Sequence, residues 1–179
     1  MLCPRCHGSK NDPEQGGACP YCRGSGVTAD VRISRFFMLS EFVRSDVAAR
    51  HGIPNEPDDV QAASLRHLAV EVLDPLRELL GPMRITSGLR RPAVNSIVGG
   101  DRFSDHMYGR AADVLPLACS LREAMQVTVD SKLPFRQAIF EFGHWLHVSW
   151  RPEPTREALM IFKAGHYEPW DVNDPRVTA

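Results

Sequence analysis

Apolar residues recur every three or four positions through the middle of the chain, and this spacing predicts one long amphipathic helix. The helix opens in NEPDD, residues 55–59, where acidic side chains favour a helix N-terminus, and Gly81 closes it. Pro75 predicts a kink. The stripe covers too few heptads for a coiled coil, so it is assigned to the core: Leu65, Leu68, Val72, Leu76 and Leu79.

Shorter patterns predict the remaining elements. Short helices are expected after Ser40 or Ser45 up to Gly52, from Pro92 through Val98, and from the capping pair Ser120 and Glu123 to about Val129. Strands are expected in MRITSG (83–88), in a hairpin of RQAIFEF (136–142) with WLHVSW (145–150), and in ALMIFK (158–163). Helices followed by a small antiparallel sheet predict an α+β fold.

Composition limits the class of protein. The chain has 179 residues, 43% hydrophobic residues and a formal net charge of −1, which suits one compact domain with an appendage and argues against nucleic acid as the main partner. No apolar run is long enough for a membrane span, and the opening MLCPRCHGSK does not resemble a signal peptide. We therefore expect synthesis in the cytoplasm.

Four of the five cysteines form two CxxC pairs near the start of the chain, Cys3 with Cys6 and Cys19 with Cys22. Such pairs present four thiolates to a tetrahedral structural zinc, so residues 1–26 are predicted to be a zinc ribbon; two disulfides are the rival interpretation. CPRCHGSK and CPYCRGSG also resemble the CxxCxGxG repeats of the DnaJ-type zinc module. A structural cap or a protein contact is the favoured role, and contacts with cell wall or nucleic acid stay open.

The segment SDHMYGRAADV, residues 104–114, places His106 seven positions before Asp113. A straight helix would separate the two side chains by about 10 Å, too far to share one metal ion. Gly109 permits a bend between them, and Ala111 and Ala112 permit close backbone approach. Asp113 enters an apolar run typical of a buried strand, where a carboxylate is costly unless it is paired, so a cation is its natural partner.

WLHVSW supplies a third candidate ligand. Strand alternation puts His147 and Ser149 on one face, while the apolar residues beside them anchor the strand on the other. Two imidazoles and one carboxylate, with a fourth position open to water, are the ligand set of a catalytic zinc.

Residues 87–114 and 141–150 together resemble the zinc D-alanyl-D-alanine carboxypeptidase family, peptidase family M-fifteen, in its phage-type branch. The motif Ser-x-His-x-x-Gly-x-Ala-x-Asp is matched at residues 104–113, and Trp-x-His-x-Ser at residues 145–149. The similarity runs from about Leu39 to Lys163. It implies a hedgehog/DD-peptidase-like fold, with a linker at residues 27–38 and the peptidase domain at residues 39–179.

The same resemblance suggests roles for further residues. Arg90 stands where the family uses an arginine near the scissile carbonyl. Ser87 and Ser104 bind a substrate carboxylate or cap turns, and both readings stay open. The family places an acidic general base three positions before its last histidine ligand, where this chain has His144. Glu141 is the favoured base instead, since a hairpin would set it opposite Leu146 and near His147; His144 is the alternative.

The leading hypothesis is thus a zinc peptidase that hydrolyses peptidoglycan stem peptides beside D-amino acids, as a carboxypeptidase, dipeptidase or endopeptidase. It implies one catalytic and one structural zinc, and a cell-wall hydrolase that acts after release, such as a phage endolysin, or a virion-associated enzyme. The alternative is a non-catalytic zinc-containing binding module on the same scaffold, with the ribbon contacting protein or nucleic acid.

Overall fold

The structure is a computed structural model and describes residues 11, 16–17 and 30–177 of the chain. The cysteines of the predicted zinc ribbon, Cys3, Cys6, Cys19 and Cys22, lie outside the described residues. Ile33 and Phe37 are buried, so the described core already begins within residues 27–38, ahead of the first helix.

The described residues form an α+β fold in which helices precede and interrupt one sheet. The helices are α1 Leu39–Val43, α2 Asp46–His51, α3 Asp59–Leu68, α4 Asp74–Leu80, α5 Pro92–Ile97 and α6 Leu121–Asp130, with a 3₁₀ turn at Asp105–Tyr108. Among the described residues, none of these helices has the length and apolar character that crossing a bilayer would require.

The ends of the first two helices follow local capping chemistry. Ser45 begins α2 because its side chain accepts a hydrogen bond from the backbone of the first turn, and Gly52 ends it in the left-handed conformation, with φ of 63°. Ser40, the other predicted N-cap, lies inside α1. That helix begins earlier because Glu41 accepts a hydrogen bond from the backbone N–H of Met38.

The predicted long helix is present, but a π-helical turn at Ala69–Leu73 separates α3 from α4 just ahead of Pro75. A π turn takes up an extra residue, so the apolar face moves one position along the sequence. Leu80 is therefore buried, whereas Leu79 is 57% exposed, and its predicted place in the core is wrong. The other members of the predicted stripe are buried: Leu65, Leu68, Val72 and Leu76.

The sheet has six strands in the order β1-β2-β4-β3-β5-β6. Their bounds are β1 Met83–Ser87, β2 Ala111–Pro116, β3 Phe135–Glu141, β4 Trp145–Trp150, β5 Glu157–Lys163 and β6 His166–Pro169. The predictions included no counterpart of β6, a strand of only four residues.

The sheet is mixed, so the predicted small antiparallel sheet is found only in part. β5 pairs with β3 in parallel, while the other neighbouring strands are antiparallel. The reason is the short connection at residues 151–156. β4 ends beside the start of β3, and β5 starts at that same end, on the free edge of β3.

The two faces of the sheet differ in what they bury. Ala112, Val114, Leu146 and Val148 belong to the hydrophobic cluster formed with the helices. Since successive strand residues point to opposite faces, the side chains that alternate with them lie on the other face. The candidate functional residues of β2 and β4 are on that second face.

Candidate metal centre

The Asp105–Tyr108 turn carries His106, and Gly109 ends it in the left-handed conformation, with φ of 67°. A side chain at Gly109 would also collide with the α3 backbone, since a Cβ there would lie 2.6 Å from the carbonyl oxygen of Gln61. Both constraints favour glycine. The predicted bend between His106 and Asp113 is therefore present.

The sheet register places the other two residues. Asp113 on β2 pairs directly with His147 on β4. Both are buried, as is His106; their exposed fractions are 3%, 8% and 2% respectively. The 3₁₀ turn between α5 and β2, together with the strands β2 and β4, thus brings together the three residues that the sequence predicts as ligands.

Three potential ligand atoms face one another in this site. His106 Nε2 lies 3.1 Å from Asp113 Oδ1 and 3.2 Å from His147 Nδ1, and His147 Nδ1 lies 2.9 Å from Asp113 Oδ1. Tetrahedral ligands at zinc–nitrogen distances of 2.0–2.1 Å lie about 3.3 Å from one another. The spacing of the donor set is therefore close to what a zinc ion requires, and the three residues are able to hold a metal ion.

The tautomer of His106 supports the same conclusion. Its Nδ1 lies 2.6 Å from the carbonyl oxygen of Gly88, which only accepts, so Nδ1 carries the proton. Burial lowers the pKa of His106 despite the neighbouring carboxylate, which favours the neutral ring. The lone pair of Nε2 then faces the carboxylate oxygen of Asp113 without a proton between them. A cation in that position would satisfy both groups.

The carboxylate and the second histidine are strongly coupled. Burial opposes the charge of Asp113, but the adjacent imidazoles of His106 and His147 outweigh it and hold the pKa of Asp113 far below its usual range. For His147, burial likewise opposes the charged ring, yet the hydrogen bond and charge of Asp113 raise its pKa. Asp113 is therefore ionised at neutral pH, as a metal ligand must be.

Arg90 and Ser87 adjoin the centre. The guanidinium of Arg90 donates through Nη2 to Asp113 Oδ2, and through Nε to Ser87 Oγ over 2.8 Å. The two oxygens of Asp113 are thus divided, Oδ2 toward Arg90 and Oδ1 toward the imidazoles. Ser104 precedes the 3₁₀ turn and accepts through its carbonyl from Met107 N, but its hydroxyl does not cap that turn.

Glu141 ends β3 beside the centre, but one position away from the predicted register. It pairs with Trp145, and Phe140 takes the place opposite Leu146. Phe142 and Gly143 both have positive φ, 53° and 71°, in a tight three-residue connection. The expected proximity is nevertheless found, with Glu141 Oε1 4.0 Å from His147 Nδ1.

The environment of Glu141 suits a group that exchanges protons. Trp145 Nε1 donates to its Oε2 over 2.9 Å. Burial raises the pKa of Glu141, and the charge of Asp113 raises it further against the opposing effect of His147. His144 instead sits exposed in the hairpin connection with its ring against Trp145, 6.1 Å between centroids.

One buried acid at the centre was not anticipated from the sequence. Asp105, adjacent to His106, is 5% exposed and forms ion pairs with Arg136 and Arg151. Its partners lie 31 and 46 positions away along the chain, so no local pattern linked them. The sequence likewise did not predict the contact of the Gly88 carbonyl with His106 or that of the Trp145 indole with Glu141.

The family model described as Peptidase M15 matches residues 35–149, more than half of the 179-residue chain. No curated protein matches the chain. The match covers the 3₁₀ turn with His106, the strand with Asp113 and the strand with His147. The chain therefore belongs to the peptidase M15 family of metallopeptidases.

Proposed function

We propose that this protein is a zinc-dependent peptidase that hydrolyses bonds beside D-amino acids in peptidoglycan stem peptides. The observation that carries the proposal is the convergence of His106, Asp113 and His147 at 2.9–3.2 Å in a chain of this family. The peptidoglycan substrate rests on the motif resemblance. A zinc ion in this site would supply a Lewis acid for water and for the peptide carbonyl.

Glu141 is the proposed general base. Its Oε1 faces the centre at 4.0 Å from His147 Nδ1, and its Oε2 is held by the indole of Trp145. Oε1 would accept a proton from the attacking water and deliver it to the leaving amine. A raised carboxyl pKa suits both halves of that task, because proton transfer is most efficient when the pKa of the group approaches the working pH.

Arg90 is the proposed oxyanion donor. Its Nε and Nη2 are engaged by Ser87 and Asp113, but among the residues that the structure describes Nη1 has no acceptor. The ion pair fixes the guanidinium beside the centre, and the unused N–H groups are available to a developing negative charge. Ser87 and Ser104 remain proposed contacts for a substrate carboxylate.

We extend the proposal to a second zinc held by Cys3, Cys6, Cys19 and Cys22. The support is the spacing of the two CxxC pairs alone. We assign this ribbon a structural or protein-contact role. The phage-type motif resemblance supports a cell-wall hydrolase that acts after release, as an endolysin, or from the virion.

The test is digestion of purified peptidoglycan by the zinc-loaded full-length protein, with released fragments identified by mass spectrometry. We expect fragments that end or begin at a D-amino acid, and none from His147→Ala. The position of the cut separates carboxypeptidase from endopeptidase activity. Tight binding to peptidoglycan without any fragments would reject hydrolysis and favour the non-catalytic binding module.

A further inference from the structure

We propose that Asp105 is a positioning residue that uses Arg136 and Arg151 to hold His106 at its distance from His147; the inference rests on the proposed function, because it concerns the same centre. The carboxylate of Asp105 is buried, with 3% of its side chain exposed. Its Oδ1 accepts from Nε and Nη2 of Arg151 at 3.0 and 2.8 Å. Its Oδ2 accepts from Nη1 of Arg136 at 3.1 Å.

The clamp of Asp105, Arg136 and Arg151 joins the turn that carries His106 to residues beside the strand of His147. Asp105 precedes His106 in the 3₁₀ turn, and Arg151 directly follows the strand that carries His147. The main chain adds a second link. The Asp105 carbonyl accepts from Arg110 N at 3.0 Å, and the Arg110 carbonyl accepts from Trp150 N at 2.8 Å.

The other contacts of His106 run to the segment after β1 and not to β4. Its Nδ1 donates to the Gly88 carbonyl, and its own carbonyl accepts from Arg90 N at 3.1 Å. Both partners follow β1, which lies on the far side of β2 from β4. They orient the ring, but they do not tie it to the strand of His147. Apart from the contacts of both imidazoles with Asp113 and with each other, the described hydrogen bonds that connect this turn to β4 and to Arg151 therefore pass through Asp105.

The charge of Asp105 is required for this link. Two guanidinium groups share one buried carboxylate, and both Nε and Nη2 of Arg151 donate to it, which restricts its orientation more than a single contact does. Asparagine has nearly the same shape, but its NH₂ group would face one of the guanidiniums as donor against donor. Asp105→Asn is therefore expected to free the 3₁₀ turn without creating a cavity.

The experiment measures Asp105→Asn in the full-length protein with two readouts. The first is zinc affinity, measured by competition with a chelator. His147→Ala, which lacks a ligand of this centre, shows how much of the measured binding belongs to the ribbon. We expect the affinity of the centre to fall about 10- to 100-fold, the usual cost of losing a group that supports a metal ligand. The second is amide hydrogen exchange of the metal-free protein, where the N–H groups of Arg110 and Trp150 should exchange faster.

A matched control separates positioning from general destabilisation. Thr128 is buried in α6, and its hydroxyl donates to the Ala124 carbonyl at 2.7 Å. Its neighbours Ala124 and Met125 belong to the hydrophobic cluster, so α6 packs against the opposite face of the sheet from the metal centre. Thr128→Val should lower the melting temperature. It should leave the zinc affinity and the hydrogen-exchange rates of the Arg110 and Trp150 amides unchanged.

The clamp is overturned if Asp105→Asn folds, loses thermal stability as the control does, and binds zinc within about twofold of wild type. If Asp105→Asn does not fold, Arg151→Gln decides the matter, since it removes two of the three hydrogen bonds from a partly exposed position. Unchanged zinc affinity in that variant overturns the clamp. Failure of the wild type to cut peptidoglycan would reject the proposed function alone, because neither readout depends on turnover.

Discussion

Asp113 and His147 face each other directly across β2 and β4, with 2.9 Å between Oδ1 and Nδ1. Directly opposed residues in an antiparallel pair lie close together on one face, and a slip of one residue would move either side chain to the other face. Two of the three candidate ligands, Asp113 and His147, are therefore placed by strand register. His106 alone is delivered by a turn, which makes its position the more sensitive part of the site.

The first prediction tests the central carboxylate. Asp113→Asn keeps the shape of the side chain but removes the charge shared by Arg90 and both histidines. We expect zinc affinity at the centre to fall by more than about 100-fold, beyond the usual cost of a supporting group, and turnover to disappear. The measurement is zinc content after dialysis together with peptidoglycan hydrolysis.

Ser149→Ala is the control for this substitution. Ser149 is fully buried on the same face of β4 as His147, where its hydroxyl accepts from Gln137 N at 3.2 Å. The variant should retain zinc and most activity. Near-normal turnover in Asp113→Asn would remove Asp113 from the ligand set.

The second prediction concerns metal stoichiometry. The four ribbon cysteines and the His106, Asp113 and His147 centre together predict about two zinc ions per chain. Replacing Cys3 and Cys6 by serine should remove one ion and leave the other, as measured by elemental analysis of the purified protein. Loss of both ions would show that the sites depend on each other, and native disulfides would reject the ribbon.

The convergence of His106, Asp113 and His147 was predictable because these residues occur in short motifs with limited geometry. Gly109 marked the bend after His106, and period-two alternation fixed the face of His147. Both signals are local. The approximate position of Glu141 could also be predicted from the sequence, since it depends only on a hairpin between neighbouring strands.

Features that depend on counting residues through irregular backbone were not predictable. The π turn shifts the apolar face from Leu79 to Leu80, and a pattern counted at 3.6 residues per turn carries no sign of it. The three-residue connection after Glu141 moves the hairpin register by one position in the same way. The clamp on Asp105 joins residues far apart in sequence. Without the sheet topology, the sequence does not distinguish Arg136 and Arg151 from the other basic residues as partners of Asp105.

The third prediction distinguishes the two candidate bases. Glu141→Gln should keep zinc and fold but lose about 10²- to 10⁴-fold in kcat, the usual worth of a general base. His144→Ala should lose much less, because that side chain is exposed in the hairpin connection. Both variants are measured zinc-loaded at matched pH. The opposite ordering would assign the base to His144.

The last prediction concerns the pH dependence that Glu141 gives the reaction. Burial holds the pKa of Glu141 above its ordinary value, while the hydrogen bond from Trp145 Nε1 stabilises the ionised form and partly offsets that effect. A general base must be ionised, so activity should fall as the pH drops through the pKa of Glu141. Trp145→Phe removes the hydrogen bond, destabilises the carboxylate and raises this pKa further. The acid limb of kcat/KM should therefore move to higher pH.

Trp150→Phe provides the matched control for that shift. It is the same substitution on the same strand, but Trp150 stacks on His67 with ring centroids 5.0 Å apart, at the opposite end of β4 from Trp145. The acid limb of kcat/KM for Trp150→Phe should coincide with that of the wild type when all three proteins are zinc-loaded. An unmoved limb in Trp145→Phe, or one displaced to lower pH, would show that the group titrating in the profile is not Glu141, and would leave the hydrogen bond of Trp145 as a support for the hairpin alone.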